Sequence, residues 1–289
     1  MLSFRQGYFS DPAAWNAFTD LLRDIFNLDV TAVARFGGPD PTCMPFGYID
    51  PSGQCVANVS AFSMPLMVDG RMVSAKGIQS VAVRPDWRGK GLYRDLMTRA
   101  LAWCDGQGCE LVALYSDNPA LYRPFGFQRV PEHCFVGVPR RPIASDKTVR
   151  RLSAADPDDL AVMQALLASR TPVSNLVAVA DQRTMFLLNV TLDPSLEIAY
   201  LEEAQAVIVF QHSDACFRLI DIVAPAMPSL GTILAALGIS PARVEICFPT
   251  DRLGWSGTPT PCDRDSLLVR GELPFALRQP FMLPPTALF

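Results

Sequence analysis

Histidine is nearly absent: His133 and His212 are the only two in 289 residues. That is too few for a histidine-rich metal site, and the cysteines show no zinc-type spacing, so no metal is expected. The eight cysteines (43, 55, 104, 109, 134, 216, 247, 262) contain no C-x-x-C pair. Several fall in predicted strands or helices, where Cys acts as a small buried hydrophobe. Free thiols in a reducing cytoplasm are therefore expected rather than a disulfide framework. Excess basic charge is also missing. A net charge of −4 and a pI near 5.2 argue against nucleic acid as a partner, because phosphate contacts need a basic surface. No apolar stretch approaches the ~20 residues of a membrane span. The first twelve residues lack the charged and apolar regions of a signal peptide.

What is present is enough hydrophobic sequence for a sizeable core, in a length that suggests two domains of about 100–200 residues. Trp15, Phe18, Leu22 and Phe26 recur at helical spacing and predict a helix over Pro12–Phe26, with Asp11 as N-cap. A Gly/Pro-rich loop (Phe36–Pro41) leads into strand-like runs at Phe46–Asp50 and Gln54–Val68. Asp69-Gly70 reads as a hairpin turn, and Arg71–Val83 completes a meander. Leu92, Leu96, Ala100, Leu101 and Cys104 then mark one face of a helix that Gly106 or Gly108 would end. A strand at Leu111–Tyr115, a short helix at Pro119–Phe125 and a strand at Phe135–Val138 follow. This order predicts a mixed α/β domain over residues 1–138.

Residues 139–147, rich in proline and basic residues, read as a linker. From 148 to 289 the theme repeats. Helices are expected at Pro157–Ser169 and Asn175–Val190, and strands at Leu196–Glu202, Ala206–His212 and Phe217–Ala224. A helix at Ser229–Leu237 and strands at Val244–Pro249 and Leu267–Gly271 complete the second copy. The tail from Pro274 carries four prolines and is expected to lie extended over other surfaces.

One stretch carries chemistry. Val81-Ala82-Val83-Arg84-Pro85-Asp86-Trp87-Arg88-Gly89-Lys90-Gly91-Leu92 runs from an apolar strand through an Arg/Gly turn into an amphipathic helix. Glycines let backbone N–H groups converge on an anion, and the helix start adds unpaired donors and a positive dipole end. Arg88 and Lys90 add charge, so the segment reads as a pyrophosphate cradle. R-G-K-G alone could equally be an ordinary basic turn. With the strand before it, the helix behind it and Leu121-Tyr122-Arg123-Pro124-Phe125-Gly126-Phe127 downstream, the sequence resembles the GCN5-related N-acetyltransferase (GNAT) superfamily over residues 3–138. Tyr93 departs from the small residue expected at the end of the signature. A bulky residue there is similar to the Eis-like branch, multi-domain enzymes that acetylate amines.

The resemblance implies tandem GNAT-like domains, with acetyl-CoA as co-substrate bound between the strands Ile78–Val83 and Leu111–Tyr115. Val81, Ala82 and Val83 would meet the pantetheine arm, Arg88, Gly89, Lys90, Gly91, Leu92, Tyr93 and Arg94 the pyrophosphate, and Ser116 and Asn118 the cofactor from the second strand. It implies Tyr122 as the general acid that protonates the departing thiolate; the plain alternative is a packing tyrosine. The base is open among Asp117, Glu132 and His133. Eis-like enzymes use their C-terminal carboxylate, here that of Phe289, which is the other candidate. In the second half, Pro225-Ala226-Met227-Pro228-Ser229 follows the corresponding strand without Arg or Gly, and its prolines remove N–H donors. A catalytically silent repeat that shapes the acceptor pocket is therefore expected. The acceptor is an amine or a peptide N-terminus, with aminoglycosides, polyamines and amino acids all open; homo-oligomerisation is open too. Phe36, Phe46 and Phe281 could stack on a substrate, and Asp29 and Asp40 could attract a cationic one. The competing readings are a non-catalytic acyl-CoA sensor and a mycothiol-synthase-like layout with the activity in the second copy.

Overall fold

The computed structural model describes residues 1–140, 149–213, 215–262 and 266–288. Most of the expected linker lies outside the described residues. The first half opens with a short strand β1 (Ser3–Gln6) and then α1 (Pro12–Phe26). Asp11 caps α1 as its position demands, its Oδ1 accepting from the N–H groups of Ala13 and Ala14. Strands β2 (Met44–Ile49), β3 (Cys55–Ser63), β4 (Leu66–Val68), β5 (Arg71–Val73) and β6 (Ala75–Val83) follow. After β6 come α2 (Leu92–Gly106), β7 (Leu111–Ser116), β8 (Gln128–Val130) and β9 (His133–Gly137). The second half runs β10 (Val149–Arg151), α3 (Pro157–Ser169), β11 (Val177–Val179), α4 (Arg183–Leu192), β12 (Glu197–Leu201), β13 (Ala206–His212) and β14 (Cys216–Val223). Then come α5 (Leu230–Leu237), β15 (Arg243–Ile246), β16 (Thr258–Pro261) and β17 (Ser266–Gly271).

Two seven-stranded mixed sheets repeat one plan. Their orders are β1-β2-β3-β6-β7-β17-β8 and β10-β12-β13-β14-β15-β9-β16. In each, antiparallel strands lead to a single parallel pair, β6 with β7 and β14 with β15. A crossover helix, α2 or α5, joins the members of each pair, as parallel pairing requires. The next strand in each sheet comes from the other half of the chain. β17 lies antiparallel between β7 and β8, while β9 lies between β15 and β16. The halves thus exchange one strand each, and a cut near residue 138 does not separate the two sheets. The strand expected at Phe135–Val138 as the end of the first domain belongs to the second sheet.

Other departures have local causes. The run expected over Gln54–Val68 breaks at Met64-Pro65, where proline has no N–H to give a ladder. The β4–β5 hairpin does turn at Asp69-Gly70, both at positive φ (50° and 72°). It leaves the main sheet, however, and pairs with β11 of the second half. The helix expected over Asn175–Val190 starts only at Arg183, because Val177-Ala178-Val179 is taken by that third sheet. The short helix expected over Pro119–Phe125 is a pair of 3-10 turns. Strands β1, β8, β10 and β16 are too short for periodicity to reveal, and β16 holds two prolines at a sheet edge. The proline-rich tail is laid over the body, with Phe281, Met282, Leu283, Thr286 and Ala287 buried. Among the described residues no helix is long and apolar enough to cross a membrane.

Candidate active site

The site begins where the parallel pair of the first sheet comes apart. β6 and β7 are in register only over Ala75–Gly77 and Leu111–Ala113, although β6 continues to Val83 and β7 to Ser116. The divergence starts at a bulge. The β3–β6 register shifts between Asn58 and Ser60, and Ser80 takes φ 54°, an uncommon conformation for a residue with a side chain. A buried polar chain holds it. Tyr8 donates to Asn58 Oδ1 (2.6 Å), and Asn58 Nδ2 donates to the Ser80 carbonyl (2.8 Å) and to Ser60 Oγ (3.0 Å). Gly47 makes room for Tyr8, since a Cβ there would lie 2.7 Å from the tyrosine oxygen. Neither Tyr8 nor Asn58 was singled out by the sequence; an asparagine in an apolar strand was the available signal.

Past Val83 the chain makes a 3-10 turn (Pro85–Trp87) and reaches the Arg/Gly segment. Gly89 and Gly91 sit at φ 73° and 81°, with open space where a Cβ would be. Glycine is required there by the backbone conformation, not by crowding. Gly91 opens α2 with no side chain capping it, so the first-turn N–H groups are offered outward. Arg88 is exposed and its Nε donates to the Val83 carbonyl (3.1 Å), tying loop to strand. Lys90 and Arg94 are exposed beside it, with Lys90 Nζ 4.4 Å from the Trp87 ring centroid.

Tyr93, the departure from the family signature, has a definite job. Its hydroxyl donates to the Leu121 carbonyl (3.0 Å), and its ring meets Tyr122 and Phe125 edge-on at 6.1 and 5.8 Å. The helix start is thereby fastened to the turn that carries Tyr122. Tyr122 is 6% exposed. Burial raises its pKa above the usual phenol value; a hydrogen bond with Ser116 opposes this and the Asp117 carboxylate adds to it.

Tyr122 faces a cavity of about 880 Å³ between the two halves of the chain. The gap between β6 and β7 supplies one wall through Gln79, Ser80, Val81, Tyr115 and Ser116, and α1 and α4 supply the others. Of the residues expected at the site, the cavity therefore brings together Val81, Ser116 and Tyr122. Ala82 is buried instead with Leu21, Ile49 and Cys55. Val83 and Leu92 pack on the core that holds Leu96 and Tyr122. Residues 88–91, Arg94 and Asn118 lie outside the cavity wall, with the Asn118 N–H donating to Ser116 Oγ (3.0 Å).

Among the base candidates, Asp117 lines the cavity. Glu132 does not; its Oε1 accepts from Tyr115 (3.0 Å) and from the Leu283 N–H (2.8 Å). His133 also stands apart from the cavity wall. Phe289 lies outside the described residues, but Leu288 lines the cavity. The tail is held there by Asn189, whose Nδ2 donates to the carbonyls of Thr286 and Leu288 (both 2.9 Å). Thr286 in turn donates to Asp221 (2.6 Å), itself in a buried pair with Arg170. Of the expected stacking aromatics, Phe46 and Phe281 are core residues, each 1% exposed, and Phe36 packs beside the core. Asp40 does line the cavity; Asp29 does not. Met185, Leu188 and Leu192 of α4 also line the cavity; the sequence of that helix carries no sign of which surface it meets.

In the second sheet the β14–β15 pairing ends at Leu219 and Ile246, and beyond it the β14 edge is occupied: the Ile222 carbonyl accepts from Arg170 Nη2 (3.2 Å) and the Ala224 carbonyl from the Thr171 N–H (2.9 Å). Among the described residues no group of three or more His, Cys, Asp or Glu is positioned to hold a metal.

Residues 12–130 match the family described as acetyltransferase (GNAT) domain. No curated protein matches the sequence significantly. Among solved structures, a conserved protein of unknown function from Enterococcus faecalis V583, described as a probable N-acyltransferase, superposes with TM-score 0.61 at 18% identity, over 93% of this chain and 72% of its own. Eis1 from Mycobacterium abscessus gives TM-score 0.61 at 19% identity, over 93% and 73%. A GCN5-related N-acetyltransferase from Kribbella flavida gives 0.57 at 18%, over 93% and 71%. These likenesses extend the shared fold well past the matched segment. The strand gap and the uncapped α2 start both fall within the segment, residues 12–130, that matches the acetyltransferase (GNAT) domain family, and the chain as a whole shares the GNAT-like tandem fold of these structures.

Proposed function

We propose that the protein transfers an acetyl group from acetyl-CoA to an amine at the cavity between its halves. The observation that carries this is the separation of β6 from β7 beside the Ser80 bulge, which opens onto the cavity lined by Tyr122, with the Gly89–Gly91 loop following β6 in the chain. The chain fits the donor. Two positive-φ glycines and an uncapped helix start present N–H groups where a pyrophosphate would be held, and Arg88, Lys90 and Arg94 supply compensating charge. Acetyl-CoA brings the activated thioester; the chain holds it, excludes water and manages protons.

Attack needs a neutral amine, and an amine near pKa ~10 reaches that state by giving its proton to a base or to water. Asp117 lines the cavity and is the base candidate within the described residues; the carboxylate beyond Leu288 is the second. Tyr122 is the acid. Burial keeps its phenol protonated at neutral pH, so it can hydrogen-bond the developing thiolate and return it to the thiol state. Apart from that terminal carboxylate the second half contributes walls rather than chemistry, since the edge of its own β14 is taken up by residues 170 and 171.

Thiol release from acetyl-CoA in the presence of an amine panel tests the reading. Wild type is expected to release thiol only with an acceptor present. Tyr122→Phe is expected to lower kcat about 10²-fold with the acetyl-CoA KM unchanged. Full activity in Tyr122→Phe would remove the acid role. Acetyl-CoA binding without turnover of any amine would favour the sensor reading.

A further inference from the structure

The cavity walls carry information about the acceptor, on the footing that the protein is an amine acetyltransferase. On the α1 and α4 walls the lining is mainly aliphatic and aromatic, with Thr184 and Asn189 of α4 as its uncharged polar members. Trp15, Leu22 and Phe26 come from α1, and Met185, Leu188 and Leu192 come from α4. Phe9, Trp15 and Phe18 form a contiguous aromatic cluster, with centroids 4.7 to 5.5 Å apart. Two large apolar side chains stay exposed along the cavity, Phe26 at 49% and Leu121 at 48%. An isolated exposed apolar residue is ordinary; exposed ones continuous with an apolar cavity mark a binding surface.

Charge narrows the class further. Asp40 and Asp117 are the only charged side chains among the described residues lining the cavity, and none is Lys, Arg or His. A free amino acid would bring a carboxylate to a cavity with two carboxylates and no cation to meet it. A polyamine or aminoglycoside would bring several cations, most of them pressed against hydrocarbon without partners, and burying unpaired charge is unfavourable. A single ammonium group on an apolar body fits both features.

We infer that the acceptor is a primary monoamine with an apolar aryl or alkyl body, seated against α1 and α4, its nitrogen directed to the Asp117 and Tyr122 end. The amine nitrogen forms the new amide bond as the thioester C–S bond breaks, and the amine's proton leaves to the base while the thiolate takes one from the acid.

The test compares kcat/KM at saturating acetyl-CoA for 2-phenylethylamine, octylamine, phenylalanine, spermidine and an aminoglycoside. Phenylethylamine and octylamine are expected to lead by tenfold or more. Phenylalanine, the same body with an added carboxylate, is expected at least tenfold below phenylethylamine. Phe26→Ser, at a half-exposed position, is expected to raise the KM for phenylethylamine about tenfold while the acetyl-CoA KM holds. Faster turnover of spermidine or the aminoglycoside would overturn the inference and leave the transferase reading standing. Bound acetyl-CoA with no acceptor turned over would overturn both. A higher kcat/KM with octanoyl-CoA than with acetyl-CoA, alongside equal rates for all amines, would assign the apolar walls to the acyl chain and overturn it as well.

Discussion

The strand exchange predicts that the first half cannot fold alone. A chain of residues 1–140 would carry the Arg88–Gly91 loop, α2 and Tyr122, yet it would lack β17, which pairs with β7 from Ser266 to Gly271 and with β8 from Leu267 to Val269. Leu267, Leu268 and Val269 are 2%, 1% and 3% exposed. Burial of such a side chain contributes about 1.5–3 kcal/mol, so the three together contribute roughly 5–9 kcal/mol. That is comparable with the whole stability of a typical domain, about 5–15 kcal/mol. Losing β17 would also unpair the facing edges of β7 and β8 and uncover Val130 and Ala113, which pack in the same cluster. The fragment is therefore expected to show no cooperative thermal transition by circular dichroism, and to regain one when a chain of residues 141–289 is added. A fragment that melts cooperatively by itself, within a few degrees of the full chain, would refute the argument.

Two further outcomes follow from the site. Asn58→Leu keeps the branched side-chain shape but leaves the Tyr8 hydroxyl and the Ser80 carbonyl without their buried partner. A loss of about 2–4 kcal/mol in denaturant unfolding is expected, with a raised KM for acetyl-CoA as the bulge relaxes; unchanged stability would mean the chain does not hold the bulge. The second concerns pH. In the proposed role Tyr122 acts protonated, and burial raises its pKa above the ordinary phenol value, so its proton is lost only above pH ~10. The rate should climb as the amine deprotonates and show no falling limb below pH ~10. A fall between pH 7 and 9 in wild type, absent from Tyr122→Phe, would contradict the assignment.

Much of the local structure was legible in the sequence, because the signals were short-range. Asp11-Pro12 and Asp156-Pro157 each set a helix start with proline at its first position, and both helices end where the apolar spacing ends. The Gly89–Gly91 turn is readable for a different reason: a backbone at positive φ selects glycine, and that demand is written as residue type. Tyr122 comes from the resemblance alone, and the structure places it buried at the cavity wall. What could not be read was long-range. Nothing local in Leu267–Gly271 says that it completes the other half's sheet, since an apolar strand pairs equally well with any open edge. The β4–β5 hairpin was identified by its turn, but its partner β11 lay more than a hundred residues away and hid inside an expected helix. The cavity draws on both halves, for α4 and Tyr122 line it together although they lie on either side of the strand exchange. The acidic and apolar lining was therefore visible only once α1 and α4 faced each other.

Binding of acetyl-CoA to the full chain, measured by calorimetry, bears most directly on the central claim. Gly91→Trp puts an indole at the head of α2, and Gly53→Trp is its control, because Gly53 has a similar positive φ (89° against 81°) and equally open space, but in the β2–β3 turn. One site per chain in wild type, lost in Gly91→Trp and kept in Gly53→Trp, is the predicted result. Absence of binding in wild type, or equal binding in both variants, would contradict an acyl-CoA site at this loop.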